Sequence, residues 1–346
     1  MRRSVGTLAL LAWLAAGGVP AAAQDGAPHP RRAAATYPRP AAHTNEDRAA
    51  VAENLAQARA IAGPDLFADF AHRCIISPTY RTRVAGIQHD GWVAPTRLFD
   101  NLYSVGQNAV SAHALVTSGG IVLFDTLNSE DEARTILVPN LQALGLDPKA
   151  IKYIVVTHAH GDHYGGARYL QRTYGARVIS SAIDWAEMDR LREKPSGPFA
   201  DIPPPDHDMV MADGQTLTLG DTTIRFYVTP GHTAGVLSSI FKVTDQGEAH
   251  TVGYFGGTGG GGSPDSLRAQ IKSLQRWREL TRAAGVDVLI ANHPLHDRGI
   301  ENNELLHYRR PGDPNPYVVG ADRYQRYMQV QEACARVGLA YQGLRE

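Results

Sequence analysis

The nine residues from Val155 to His163, Val-Val-Thr-His-Ala-His-Gly-Asp-His, constrain this chain more than any other stretch. They begin inside the apolar segment Tyr153–Val156, which has the length and composition of a buried strand. Three histidines and an aspartate, His158, His160, Asp162 and His163, follow within six residues. So dense a set directly after a buried strand is hard to read as solvated surface. Imidazole and carboxylate are the donors that hold Zn²⁺ in catalytic sites while leaving a position open for water. The His158-x-His160 spacing lets two imidazoles converge on one ion at the strand end. Gly161 permits a tight turn, so that Asp162 and His163 can face a second ion at the start of the next helix.

Around this run the chain alternates between strand and helix patterns. Strand-like stretches at 102–105, 113–117 and 121–124 are followed by a helix over 130–144, the strand at 153–156 and a helix from Tyr164. A strand at 177–180 and a helix at 183–192 continue this βαβ grammar, which implies a partly parallel sheet covered by helices. The second half repeats it, with strands at 216–219, 222–228, 236–243 and 251–255, a helix over 264–284, a strand at 286–291 and a final helix over 321–340. Two such halves predict an α/β fold: a four-layer αβ/βα sandwich of two mixed sheets flanked by helices, in a single domain over 45–346. Helical spacing over 45–63 and a short helix at 65–72 precede it. The proline-rich stretch Lys194–Asp208 reads as a long loop over the site.

The N-terminus has other work. Arg2 and Arg3, an apolar run from Leu8 to Val19 and Ala21-Ala22-Ala23 form the pattern of a secretory signal over 1–23, too short to span a bilayer. Residues 24–44, rich in Pro, Ala and Arg, read as a flexible leader, and the mature protein is expected to be periplasmic or secreted, with no membrane span. In that compartment Cys74 and Cys334 either form a disulfide or remain two buried thiols. The 34 basic and 35 acidic side chains leave a formal net charge of −1, which gives no footprint for nucleic acid and favours a small-molecule substrate.

The His158–His163 run resembles the HxHxDH signature of the metallo-β-lactamase superfamily, whose αβ/βα sandwich agrees with the element order above. The resemblance implies two zinc ions and two further ligands. His232, in Thr229-Pro230-Gly231-His232, would complete a three-histidine site with His158 and His160. His293, in Ala291-Asn292-His293-Pro294, would join Asp162 and His163 on the second ion. The nine other histidines lack such contexts, His296 lying nearest to one of them. Many members, glyoxalase II among them, carry a bridging aspartate after a mid-chain strand. Here Thr251–Phe255 runs instead into Gly256-Gly257-Thr258-Gly259, with neither acid nor cysteine. That donor set is similar to the third subclass of metallo-β-lactamases, whose substrate-holding serines are also missing; Thr258 is the candidate for that place.

The implied activity is hydrolysis of a cyclic amide by water activated between the ions and oriented by Asp162. Hydrolysis of another lactone, ester or amide is the alternative, and a non-catalytic zinc-binding protein a third. Asp125, at a strand end, either orients a ligating histidine or is an ordinary turn residue.

Overall fold

A computed structural model of the chain describes residues 43, 45–80, 84, 88–259 and 262–346. The expected signal, and the leader apart from His43, lie outside the described residues. Seven strands form the first sheet in sequence order: β1 (Thr96–Arg97), β2 (Leu102–Ser104), β3 (His113–Thr117), β4 (Gly120–Phe124), β5 (Ile151–Val155), β6 (Arg177–Ser180) and β7 (Met209–Val210). Its first four strands pair antiparallel, and β4 to β7 pair parallel. The second sheet orders β12 (Val288–Ile290), β11 (Glu248–Tyr254), β10 (Leu237–Asp245), β9 (Thr222–Val228) and β8 (Thr216–Leu219). Only its β11–β12 pair is parallel.

The burial pattern explains the layering. Val122, Phe124, Val155 and Ile179 of the first sheet pack against Phe226, Phe241, Val252 and Ile290 of the second. Phe124 stacks on Phe241 with ring centroids 5.2 Å apart. On the outer face of the first sheet, Ile154, Val156 and Val178 meet Leu137, Leu141, Leu170 and Trp185. Because alternate residues of a strand point to opposite faces, Val155 serves one core while Ile154 and Val156 serve the other. That is why this strand reads as an unbroken apolar run. The outer face of the second sheet is covered by helices Arg48–Ala62, Pro264–Ala283 and Ala321–Ala340, through Ala58, Trp277, Tyr324 and Met328. Helix, sheet, sheet, helix is the four-layer arrangement the sequence predicts. No helix among the described residues is long and apolar enough to cross a membrane.

Several elements differ from the sequence reading. The helix expected from Tyr164 begins at Gly161, breaks after Tyr164 and resumes over Ala167–Tyr174. The interruption falls where Gly165 passes so close to Asn128 that a Cβ would lie 2.2 Å from its carbonyl carbon. Helix Gly299–His307 went unread because it buries only Gly299 and Asn303, and so leaves no apolar stripe in the sequence. The helical stretch after Gly63 runs to Thr79, passing through a π-type segment at Ala71–Ile76.

Within that π-type segment Cys74 is buried and forms a disulfide with Cys334, 260 residues later. The bond joins the N-terminal helices to the last one. Replacing both cysteines by serine is expected to lower stability by about 2–4 kcal/mol. An unchanged denaturant midpoint in the double variant would show that helix packing alone secures this junction.

Candidate metal centre

Each candidate ligand follows the end of a strand. His158, His160, Asp162 and His163 follow β5, His232 follows β9 and His293 follows β12. In sheets with parallel strands this carboxyl end is where ligands gather. The structure brings the six into two adjoining groups, His158, His160 and His232 in one, Asp162, His163 and His293 in the other. Within each group the donor atoms lie within 4.8 Å of one another. The groups touch: the His158 and His163 ring centroids are 4.0 Å apart.

The tautomers are set by acceptors behind the rings. A carbonyl or carboxylate can only accept, so the ring nitrogen facing it carries the proton. His158 Nδ1 donates to the Gly256 carbonyl at 2.9 Å, and His232 Nδ1 to the Gly259 carbonyl at 3.0 Å. His293 Nδ1 donates to the Ala109 carbonyl at 2.7 Å, and His163 Nδ1 to Asp125 Oδ2 at 2.8 Å. All four rings therefore turn Nε2 inward. Nε2 of His158, Nε2 of His163 and Oδ1 of Asp162 are buried with no hydrogen-bond partner among the described residues. His160 presents Nδ1, 3.1 Å from His232 Nε2. Asp162 Oδ2 stands 3.3 Å from His163 Nε2 and 3.7 Å from His293 Nε2. Orphaned inward atoms in N₃ and N₂O sets are what a divalent ion such as zinc would satisfy.

The electrostatics suit such ions. Burial, then the neighbouring imidazoles, push His158 well below the usual histidine range and His232 down to about 3, so both are neutral. Burial also lowers His160 and His293. Asp162 is pulled both ways: burial opposes its charge, but His163, His293 and His160 prevail and hold it ionised, well below the usual carboxylate range. For His163 burial opposes the charge too, while Asp162 and Asp125 outweigh it and raise the imidazole to about 10. A cation at Nε2 would take the place of that proton.

Three supporting features escaped the sequence reading. The glycine run serves through its backbone, since the Gly256 and Gly259 carbonyls fix two histidines. Gly256 must lack a side chain, because a Cβ there would lie 2.2 Å from the Leu237 carbonyl oxygen. Asn292 Nδ2 also donates to the Gly256 carbonyl, at 2.8 Å. Asp184, near the start of helix Ala182–Glu193, accepts from Ala159 N at 2.9 Å and Thr233 Oγ1 at 3.0 Å. It thus ties the His158–His160 turn to the residue after His232. The signal for it was Ser181-x-x-Asp184, an N-cap pattern whose carboxylate turns inward instead. Burial raises the Asp184 carboxyl to about 6. Asp184→Ala would orphan these donors and is expected to cost about 2–3 kcal/mol; a loss under about 0.5 kcal/mol in urea denaturation would dismiss the tie.

The remaining sequence candidates fall as follows. Asp125 Oδ2 accepts from His163 Nδ1 at 2.8 Å, the contact that orientation of a ligating histidine requires. Thr258 donates to Asn292 Oδ1 at 3.3 Å. His296 belongs to neither group, its ring centroid being 5.9 Å from that of His293. The Lys194–Asp208 loop does reach the site, placing the Phe199 ring 5.2 Å from that of His160.

Residues 105–245 match the model of the metallo-beta-lactamase superfamily. The relatives named here are hydrolases. A hydroxyacylglutathione hydrolase of Acidiphilium cryptum is 29% identical over 161 residues, 46% of this chain. This chain spans only 57% of that relative's length. Among solved structures, BJP-1, a subclass B3 metallo-β-lactamase of Bradyrhizobium japonicum, is 25% identical with a TM-score of 0.57, covering 69% of this chain and 91% of its own. A variant of FEZ-1, the metallo-β-lactamase of Legionella gormanii, shares the fold at 21% identity with a TM-score of 0.63, covering 73% and 98%.

Proposed function

We propose that the chain is a secreted, zinc-dependent hydrolase that opens the cyclic amide of a β-lactam. The observation that carries this reading is the donor set, three histidines beside an Asp-His-His group, with the inward atoms of His158, His163 and Asp162 unpartnered among the described residues. No acidic residue follows β11, where a glyoxalase II-like site would hold its bridging aspartate. Support also comes from the B3 enzyme BJP-1, 91% of whose chain is covered. The Cys74–Cys334 disulfide suits an oxidising compartment, in keeping with export.

Zinc in the two groups would supply an acidified water at neutral pH and a polarising hold on the carbonyl oxygen. His158, His160 and His232 would hold one ion, and Asp162, His163 and His293 the other. Asp162, ionised, accepts a hydrogen bond from the attacking water and orients it toward the carbonyl carbon. The Phe199 ring stands beside that of His160 on the loop side of the site. No side-chain nucleophile enters, so no covalent enzyme species forms.

A second reading, thioester or other ester hydrolysis on the same scaffold, is favoured by the hydroxyacylglutathione hydrolase relative. The test is hydrolysis of nitrocefin, a carbapenem, a lactone and a glutathione thioester by zinc-loaded and chelator-treated protein. Zinc-dependent cleavage of the β-lactams is expected. Cleavage confined to the lactone or thioester would replace the first reading by the second. Bound zinc without any hydrolysis would remove both.

A further inference from the structure

Arg73 lies in the π-type segment Ala71–Ile76, outside the residues matched to the superfamily. Its Nε donates to Gln331 Oε1 at 2.8 Å, and its Nη1 stands 3.5 Å from His296 Nε2. Among the described residues no carboxylate lies within 4.0 Å of the guanidinium; Asp69, one turn earlier, faces Arg298 at 3.6 Å. A half-buried cation whose neighbouring carboxylate, Asp69, acts on it only from beyond contact distance is suited to an incoming anion. Beside it the buried Gln331 Nε2 amide has no acceptor among the described residues. Both side chains line a cleft of about 540 Å³ whose other walls include Gly259, Leu267, Ala335 and Tyr341.

The cleft adjoins the metal centre from two directions. Gly259, whose carbonyl fixes His232, has φ +103°, and a Cβ there would lie 3.2 Å from Arg73 Nη2. His296, next to Arg73, packs beside His293. The guanidinium thus lies against the support of the first ligand group and against a ring that packs beside His293 of the second.

We propose that Arg73 and Gln331 form an oxyanion-recognition subsite beside the metal centre, holding a carboxylate or phosphate carried by the substrate. The planar guanidinium offers Nη N–H donors to such a group, while Gln331 Oε1 holds its Nε and so fixes its plane. Leu267, Ala335 and Tyr341 give apolar surface to the organic body attached to it. Calling that anion part of a substrate rests on the hydrolase reading; its binding at Arg73 does not.

Calorimetric titration of the zinc-loaded protein with phenylacetate, phenylacetamide and phenyl phosphate tests the subsite without any turnover. At least one of the two anions is expected to bind about ten- to a hundredfold more tightly than the neutral amide. The anion that does so identifies the group the subsite takes. In Arg73→Gln that preference should vanish, with zinc content and amide affinity unchanged, whereas an anion held by zinc alone would keep its advantage. Gln331→Leu, which leaves the guanidinium in place, should reduce the preference and carries the test if Arg73→Gln does not fold. Equal binding of all three probes to the wild-type protein, or a preference undiminished in the folded variants, overturns the proposal. Anion binding through Arg73 in a protein that hydrolyses nothing would leave the subsite standing and remove only the hydrolase reading.

Discussion

Replacing Asp162 by alanine is expected to reduce hydrolysis on the order of 10³-fold, with the fold retained. Asp162 supplies the only carboxylate in the two ligand groups. Its Oδ2 lies 3.3 Å from His163 Nε2 and 3.7 Å from His293 Nε2, and its buried Oδ1 has no partner among the described residues. Alanine removes one donor of three from the second group, and with it the acceptor that orients the water. It also removes the negative charge that compensates a dication. The first group, built only from histidines, keeps its donors. Zinc per chain after dialysis should therefore fall from two toward one while turnover collapses. The Asp162→Asn variant, which keeps the shape of the side chain but not its charge, should retain some zinc and little activity, separating charge from space filling. Two zinc ions and undiminished turnover in Asp162→Ala would refute a two-metal reaction through this residue.

The sequence made the first ligand group's core and the whole α/β layering readable for physical reasons. An apolar run that must serve two cores, as Ile154, Val155 and Val156 do, has few structural explanations. A cluster of imidazoles directly after it has fewer still. His232 and His293 were not legible from spacing, because they arrive from strands of the other sheet; only the resemblance located them. What no pattern could supply was the set of backbone acceptors. A carbonyl carries no residue identity, so the roles of Ala109, Gly256 and Gly259 depend on loop paths that only the folded chain defines. Arg73 lies 85 residues before His158 and reaches the site through a helical segment held by the disulfide, so nothing in its neighbourhood announced it.

Asp125 offers the sharpest separation of structural from metal-holding roles. Its carboxylate is fully buried and accepts from Thr157 N and Thr157 Oγ1, both at 2.8 Å, and from His163 Nδ1 at 2.8 Å. One side chain thus fixes both the entry to the ligand run and the ring of a ligand within it. Its φ of +58° lies in the left-handed region, which aspartate and asparagine tolerate better than alanine. Asp125→Ala should therefore cost about 3 kcal/mol or more, from orphaned donors together with backbone strain. Asp125→Asn removes the strain from the comparison. It keeps one oxygen for the Thr157 amide but cannot also accept fully from His163, so its stability loss should be smaller. Zinc affinity at the Asp162–His163–His293 group should still fall by about ten- to a hundredfold, as it does when a ligand histidine loses its orienting carboxylate. Competition with a chelator would measure this, and the three-histidine group should be affected less. If Asp125→Asn were destabilised yet bound both ions as tightly as the parent, Asp125 would be a turn residue that merely happens to touch His163. If affinity fell at the second group with stability nearly intact, the carboxylate would be tuning the metal site through the ring it holds.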